Sequence, residues 1–255
     1  MKVLSHRVNC YYFGTFNPIH SGHLQIASQT LKQFGKLFGF KKITFVPTAY
    51  PPHRKNNTNL IAPAHRYNLV ELAIANNSAF QISSVEQSQH EKQGAELSLK
   101  ISVKQADHKS CLYPNYTMES LLRLEKEALH RPQKENDNDN DFDHRVYCIA
   151  GTDALSSLST WHLAEELAAW VHFIQAPRPG FPEIYTMQKT NQKSCVSLKT
   201  SVLDIPLFEL SATWLRSQMK TCWQSSLPWA QLQTLQYYLP YHCLSYIYEN
   251  HLYQK

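Results

Sequence analysis

The sequence predicts an α/β fold in which an open, mostly parallel sheet carries helices on both faces. Short apolar runs alternate with segments whose apolar residues recur every three or four positions. Two of these runs end directly at a glycine, Gly14 and Gly151. In an open parallel sheet ligands bind beyond such strand ends. The length of 255 residues allows one large domain or two small ones, and we expect a single domain over 1–255.

Strands and helices are predicted to alternate along most of the chain. Short apolar runs predict strands at 8–13, 42–47, 80–85, 145–150 and 171–175. Apolar residues spaced by three and four predict helices at 24–38, 64–75 and 117–129. Because helical segments separate most of the strands, the strands are expected to run parallel.

Two polar stretches are predicted to be insertions into this pattern. They cover residues 87–114 and 130–144, where apolar periodicity is weak. The second is rich in Asn and Asp, and alternating carboxylates could bind calcium. It lacks the glycine and the distal glutamate of an EF-hand loop, so we interpret it as a solvated loop.

Composition narrows the classes of partner and location. The net charge of +5 suits an anionic small ligand as well as nucleic acid, but no stripe of Arg and Lys alternates with aromatic residues, so we expect no nucleic-acid partner. The six cysteines are scattered without a CxxC pair, which argues against a zinc site. No signal peptide and no membrane-spanning apolar run is visible. We expect a reduced, soluble, cytoplasmic protein with no membrane partner.

The stretch FGTFNPIHSGHL, residues 13–24, lies where the first strand meets the first helix. His20 and His23 are three residues apart, so they share one face of the first helical turn. A helix start offers unpaired N–H groups and a positive dipole end, which favour phosphate. Gly22 would let backbone approach a ligand, and imidazoles would supply donors that can carry charge near neutral pH. Two surface histidines are the plainer interpretation in a chain with 13, but the preceding Gly-Thr-Phe-Asn-Pro turn favours a ligand site.

A second phosphate-binding pattern lies near the other end of the chain, in LSATWLRSQM at 210–219. Ser211 and Thr213 carry hydroxyl groups at a predicted helix start, and Arg216 follows one turn later with a bidentate guanidinium. Read alone, the Ser-Ala-Thr sequence could simply cap the helix. Paired with His20 by the fold, it predicts a triphosphate held from two sides.

Both patterns resemble signatures of a known superfamily. F-G-T-F-N-P-I-H-S-G-H is similar to the nucleotidyltransferase signature G-G-T-F-D-P-x-H-x-G-H, and L-S-A-T-W-L-R is similar to its second signature, I-S-[S/A]-T-x-x-R. Five further stretches resemble bacterial nicotinate-mononucleotide adenylyltransferases in particular. They are VPTAYPPHRK (46–55), NYTMESL (115–121), IAGTDALSSLSTWH (149–162), FIQAPRPGFP (173–182) and LPYHCLSYIYENHLY (239–253).

The resemblance implies a Rossmann-like fold with a small C-terminal helical part. It implies transfer of the adenylyl group of ATP to nicotinate mononucleotide, giving nicotinate adenine dinucleotide and pyrophosphate. Mg²⁺ would be bound through the ATP phosphates, without metal ligands from the protein. Nicotinamide mononucleotide or phosphopantetheine as acceptor, and a non-catalytic nucleotide-binding protein, are the alternatives. Tyr116, Thr117 and Trp161 argue against phosphopantetheine, and the two intact phosphate signatures argue against loss of catalysis.

The resemblance also assigns the site residues by position. The residues implied to be catalytic are His20, His23 and Arg216. Those implied to bind ATP are Gly14, Thr15, Phe16, His20, Gly22, His23, Ser211, Thr213 and Arg216. Those implied to bind the acceptor are His53, Arg54, Tyr116, Thr117, Asp153, Trp161 and Arg178, with Lys55 beside the first two.

Three of these assignments have plainer alternatives. The basic cluster at 53–55 could be a solvated loop, Thr117 could be an ordinary helix cap, and Trp161 could be a core residue. In the C-terminal stretch we expect structural roles for Tyr246, Ile247 and Tyr253.

Overall fold

The structure, a computed structural model, describes residues 8–51, 59–87, 117–129, 145–188, 195–206 and 210–254. The predicted insertion at 130–144 lies outside these ranges, as does the one at 87–114 apart from its first residue. Across the described ranges no helix is both long enough and apolar enough to span a membrane.

The fold is built on a sheet of six parallel strands, confirming the predicted class. They are β1 (Val8–Gly14), β2 (Ile43–Pro47), β3 (Phe80–Ile82), β4 (Arg145–Gly151), β5 (His172–Ala176) and β8 (Lys199–Val202). Their order is β3-β2-β1-β4-β5-β8, and each neighbouring pair is parallel. The chain therefore builds outward from β1 to β3 and then returns to β4. The reversal leaves a crevice at the carboxyl ends of β1 and β4, where such sheets bind ligands.

Both faces of the sheet are buried by an apolar cluster. Successive residues of a strand point to opposite faces, so each strand contributes to both clusters. In β1, Cys10 and Tyr12 join one apolar cluster, whereas Tyr11 and Phe13 pack with the other. The first cluster lies under helices α1 (Ser21–Thr30), α2 (Lys36–Phe38), α3 (Pro63–Ile74), α7 (Ala212–Trp223), α8 (Pro228–Gln233) and α9 (Tyr241–Glu249). The second lies under α4 (Thr117–Leu129), α5 (Thr152–Leu155) and α6 (Ala164–Trp170). The sheet thus holds both strand ends of the crevice rigidly.

The first helical segment departs from the prediction of one continuous helix. A π-helical turn at Leu31–Gly35 separates α1 from α2, and the chain leaves the segment at Gly39, whose φ is 88°. A Cβ on Gly35 would lie 3.1 Å from the Phe40 carbonyl oxygen, so the glycine allows the turn to pack tightly against the chain that follows. The apolar face was predicted correctly, but the local widening of the helix was not.

The third strand is shorter than predicted, since β3 ends at Ile82 and not at residue 85. After it, the Ser83 hydroxyl accepts a hydrogen bond from the Val85 N–H, and Glu86 turns inward to accept from the Ala49 N–H. The Ser83 N–H still donates to the Phe45 carbonyl at 2.9 Å, so the backbone pairing with β2 stops only after that residue. Region 180–200, which had no predicted element, contains the antiparallel hairpin β6 (Thr186–Gln188) and β7 (Cys195–Ser197) and the start of β8.

Candidate active site

A cleft of about 710 Å³ opens at the carboxyl ends of β1 and β4. Its walls come from the turn after β1, the start of α5, the loop after β5 and the start of α7. Nine residues that the sequence assigned to the site line it: Gly14, Thr15, Phe16, His20, His23, Asp153, Arg178, Ser211 and Thr213. The fold therefore joins segments from both halves of the chain around one space.

The turn between β1 and α1 is shaped by a buried aromatic ring. Phe16 has φ of 45°, an uncommon conformation for a residue with a side chain, and its ring packs edge-on against Tyr12 at a centroid distance of 5.6 Å. A Cβ on Gly14 would lie 2.7 Å from the Phe16 ring, so only glycine fits there without a shift. Gly14 and Phe16 thus direct the chain toward the histidines.

The two histidine rings lie against each other at the start of α1. Their centroids are 3.7 Å apart, and His20, which directly precedes the helix, is only 2% exposed. The backbone N–H of His20 donates to Nδ1 of His23 at 3.2 Å. A neutral His23 must therefore carry its proton on Nε2, which makes that nitrogen a hydrogen-bond donor. Nδ1 of His20 is buried and has no hydrogen-bond partner among the described residues.

The surroundings that the fold gives both imidazoles lower their pKa values and so favour the neutral form. Burial, and then the positive charge of Arg178, lowers the pKa of His20 to about 3. Burial, then His20 and Arg178, holds the pKa of His23 well below 6.5. They would meet an anion as N–H donors, and the anion's charge would raise both pKa values.

Gly22 acts on this pair and does not line the cleft. A Cβ at this position would lie 3.1 Å from Nδ1 of His20 and 3.2 Å from its Cε1. From the sequence, Gly22 was expected to let backbone approach a ligand. In the structure its missing side chain makes room for the His20 ring.

The second phosphate pattern forms the opposite wall at the start of α7. The Ser211 hydroxyl caps the helix by accepting from the Trp214 N–H at 3.1 Å, while Ser211 and Thr213 both border the cleft. The helix starts at Ser21 and Ala212 therefore both adjoin the same space, and their dipoles favour an anion between them. Ser211 is thus both a cap and a site residue.

Arg216 points differently from what the sequence suggested. Its Nη1 donates to the backbone carbonyl of Asn17 at 2.7 Å, across 199 residues of sequence, and its Nη2 donates to the Thr213 hydroxyl at 3.0 Å. It lines a neighbouring cavity of about 210 Å³, together with Tyr253, and not the larger cleft. In this arrangement Arg216 joins the two signatures, and its role toward phosphate stays a prediction.

Arg178 and Asp153 lie beside each other and line the same cleft as the two histidines. Nε of Arg178 lies 3.9 Å from Oδ1 of Asp153, and the backbone N–H of Arg178 donates to the Thr152 hydroxyl at 3.0 Å. Gly180, with φ of 82°, closes the turn that presents the arginine. The positive charge of Arg178 lowers the pKa of both histidines, and its assignment to the acceptor stays a prediction.

The acceptor residues are described only in part, since His53, Arg54, Lys55 and Tyr116 lie outside the described residues. Thr117 is the first residue of α4. Trp161 is partly buried against the second apolar cluster, and its indole N–H donates to the Ser157 hydroxyl at 3.4 Å. His162 Nε2 lies 3.8 Å from Oε1 of Glu119, in the first turn of α4. The segments that carry Trp161 and Thr117 are therefore neighbours, although neither residue lines the 710 Å³ cleft.

The role of Asn17 was missed in the sequence. Its Oδ1 accepts from the Tyr253 hydroxyl at 3.0 Å, and its Nδ2 donates to the Asn59 carbonyl at 2.9 Å. The Tyr246 hydroxyl accepts from Asn68 at 2.8 Å, and Ile247 is fully buried. The predicted structural roles of Tyr246, Ile247 and Tyr253 agree with these contacts, and the first signature is held partly from the C-terminus.

Comparison with known proteins defines the class first. The cytidylyltransferase-like family profile matches residues 11–216, which is most of the chain. A protein of Synechococcus sp. (strain JA-3-3Ab) is 31% identical over 207 residues, covering 81% of this chain and 80% of its own. One of Desulfitobacterium hafniense (strain Y51) is 29% identical over 208 residues, covering 81% of each. Both carry the name "Probable nicotinate-nucleotide adenylyltransferase".

Solved structures share the fold. The Plasmodium falciparum nicotinic acid mononucleotide adenylyltransferase superposes with TM-score 0.59 in its complex with APC and 0.58 in its complex with NaAD. Sequence identities are 17% and 20%, and each alignment covers 97% of this chain and 98% of the other. The chain is thus a nucleotidyltransferase of the cytidylyltransferase-like class. Within that class it belongs to the nicotinate-nucleotide adenylyltransferase family.

Proposed function

We propose that this enzyme transfers the adenylyl group of ATP to nicotinate mononucleotide, forming nicotinate adenine dinucleotide and pyrophosphate. The observation that carries the proposal is the pairing of two distant helix starts, at His20 and Ser211, around one cleft that also contains the Arg178 guanidinium. Imidazole N–H groups, hydroxyls and a guanidinium suit a chain of phosphates. The names of the relatives supply the acceptor class.

The reaction needs no protein nucleophile. A phosphate oxygen of the acceptor attacks the α-phosphorus of ATP in line, and the bond from that phosphorus to the oxygen bridging to the β-phosphate breaks. Pyrophosphate leaves with the electron pair of that bond. The protein would act by positioning the two anions and stabilising charge on the transferring and leaving oxygens.

His23 is the best-placed donor toward the α-phosphoryl group. Its Nδ1 is occupied by the His20 N–H, so its Nε2 proton is available to an oxygen that gains charge in the transition state. His20, packed on it, and Arg178, across the cleft, would hold the remaining phosphate charge. Because both rings start neutral, phosphate binding would not have to displace bound counter-ions from them.

Mg²⁺ would reach the site on the triphosphate. The cleft's polar side chains are mainly imidazole, hydroxyl and guanidinium groups, with one carboxylate at Asp153, and no set of three or more His, Cys, Asp or Glu in the described ranges is grouped to hold a metal. This donor set fits an ion carried by phosphate oxygens and water. When bound, Mg²⁺ would neutralise charge on the phosphates, while the residues above orient them.

The acceptor is the finer part of the proposal. Asp153 lines the cleft just past β4 and could accept ribose hydroxyls, whereas Trp161 and Thr117 come from adjoining segments that could hold the pyridine ring and its carboxylate. Nicotinamide mononucleotide differs only in that carboxylate, and is therefore the first rival to exclude. We also propose that the enzyme is located in the cytoplasm.

A pyrophosphate-release assay tests the proposal directly. The purified protein would be supplied with ATP and Mg²⁺ together with nicotinate mononucleotide, nicotinamide mononucleotide or phosphopantetheine in parallel. We expect the highest kcat/KM with the acid. A preference for either other acceptor would replace the proposed substrate, and no release with any of them would favour a non-catalytic nucleotide-binding protein.

Two variants test the residue roles in the same assay. His23→Ala should abolish turnover while the thermal unfolding transition is retained, and a near-normal kcat would refute its assignment. Trp161→Ala should raise KM for the acceptor far more than KM for ATP, if the indole stacks on the pyridine. Equal changes in both would show that Trp161 is only a packing residue.

A further inference from the structure

A buried arginine ties together the loops that follow β1 and β2. Arg66, on α3, is fully buried, and its guanidinium donates to four backbone carbonyl oxygens. One belongs to Thr15, in the turn that lines the cleft, at 2.9 Å. Two belong to Thr48 and Ala49, just after β2, and the fourth to Ile61 at 3.1 Å. A buried charge is tolerated only when it is hydrogen-bonded in this way.

Glu86 extends this network to helix α4. Its Oε2 accepts from the Ala49 N–H at 3.0 Å, and its Oε1 accepts from the Ser120 hydroxyl at 3.0 Å. Both side chains are buried, at 1% and 0% exposure. Both backbone groups of Ala49 are therefore hydrogen-bonded to buried side chains. Its N–H donates to Glu86, and its carbonyl accepts from Arg66.

The two segments that Glu86 joins are the ones to which the sequence assigns the acceptor. Ala49 lies four residues before His53 on the chain that leaves β2. Ser120 lies three residues after Thr117, near the start of α4. The cleft-lining Thr15 is held by Arg66, at the other end of the network. The carboxylate thus joins the two segments assigned to the acceptor, and Arg66 connects one of them to the phosphate side.

Burial raises the pKa of Glu86 to about 7, opposed by the Ser120 hydrogen bond, the Ala49 N–H and the charge of Arg66. A buried carboxyl group such as that of Glu86 costs stability, because a hydrophobic residue of similar size would need no hydrogen-bond partners there. The cost is consistent with a role in holding geometry.

We propose that Glu86 is a positioning residue for the acceptor. Through Ala49 and Ser120 it sets the separation of the chain after β2 and the start of α4, the two segments assigned to the acceptor. This inference rests on the proposed adenylyl transfer for its kinetic readout. Glu86 touches neither substrate, and it would act through the backbone segments assigned to the acceptor.

Three variants test the inference kinetically. Glu86→Ala leaves the Ala49 N–H and Ser120 hydroxyl without a partner, and should raise KM for nicotinate mononucleotide about tenfold with KM for ATP changed less than about twofold. Ser120→Ala removes one bond and should act in the same direction by about threefold. Glu86→Gln should restore most of the affinity, because its amide oxygen can accept from Ala49 and its NH₂ can donate to the Ser120 oxygen.

Glu125 supplies a matched control on the same helix. Its carboxylate also bridges two donors, accepting from Asn9 Nδ2 at 3.0 Å and from the Tyr11 hydroxyl at 2.7 Å, but these lie on β1 away from its carboxyl end. Glu125→Ala should lower the unfolding temperature yet leave both KM values unchanged. The inference is overturned if Glu125→Ala reproduces the acceptor effect, or if Glu86→Ala and Ser120→Ala move the two KM values equally or not at all.

Hydrogen exchange tests the positioning without turnover. In Ser120→Ala and Glu86→Ala, the amides of Ala49, Tyr50 and residues 117–121 should exchange faster than in the wild type, while those of β5 are unchanged. Unchanged exchange in both segments would overturn the inference. A wild-type enzyme without turnover would overturn the proposed function alone, since the exchange result would still stand.

Discussion

Substituting Gly22 by alanine should separate stability from activity in this enzyme. Gly22 lies in the first turn of α1, and its φ is not in the left-handed region, so the backbone accepts a side chain. The new Cβ would lie 3.1 Å from Nδ1 of His20 and 3.2 Å from Cε1. At that spacing the ring must give by a few tenths of an ångström, and His23 is packed against it with ring centroids 3.7 Å apart.

The expected magnitudes follow from this displacement. Alanine gains about 1 kcal/mol over glycine in a helix, and overpacking costs about 1–3 kcal/mol. The net change in unfolding free energy is then a loss of about 0–2 kcal/mol, or at most about 8 °C in unfolding temperature. A misplacement of 1 Å costs about 10²-fold in rate, so a few tenths should lower kcat by about 3–10-fold.

The measurement pairs thermal unfolding with steady-state pyrophosphate release. Ser21→Ala is the control, because it changes the neighbouring residue of the same turn and adds no atom beside His20. We expect Gly22→Ala to lose activity while remaining folded, and Ser21→Ala to keep its kcat. Wild-type kcat in Gly22→Ala, with an unshifted His20 ring signal in NMR, would refute the view that this glycine positions the His20 ring.

Three further predictions concern the same site. Tyr253→Phe removes the hydroxyl that donates to Asn17 Oδ1, and should lower the unfolding free energy by about 1–2 kcal/mol; an unchanged denaturant midpoint would contradict this. Arg178→Met should raise the pKa of His20 and His23, measured by NMR titration, and raise KM for ATP. Because the fold lowers both histidine pKa values, the unfolded chain binds more protons below pH 6.5. As the pH is lowered below 6.5, the free energy of unfolding should therefore decrease by up to about 1.4 kcal/mol per pH unit for each ring. The His20→Asn/His23→Asn variant should lose that part of the acid sensitivity, and an identical acid slope in both proteins would show that the rings are protonated in the fold.

Most of the fold could be predicted because its signals are local. Buried parallel strands are continuous apolar runs, and helices show their apolar face every three to four residues, so each element could be located from its own residues. The errors fall where distant groups intervene. The strand predicted at 80–85 ends at Ile82, and beyond it Glu86 turns inward to the Ala49 N–H, a contact that no local pattern reports.

The sequence by itself predicted the chemistry of this protein, because two imidazoles after a Gly-Thr-Phe-Asn-Pro turn, together with a Ser-Ala-Thr helix start followed by an arginine, favour phosphate binding. Tertiary structure alone decided how those groups are aimed and charged. It directed Arg216 to the Asn17 carbonyl, brought Arg178 to the histidines and lowered the pKa of both rings by burial. The physical reason is that hydrogen-bond direction and pKa depend on neighbours brought together from as far as 199 residues apart, whereas a motif records only adjacent ones.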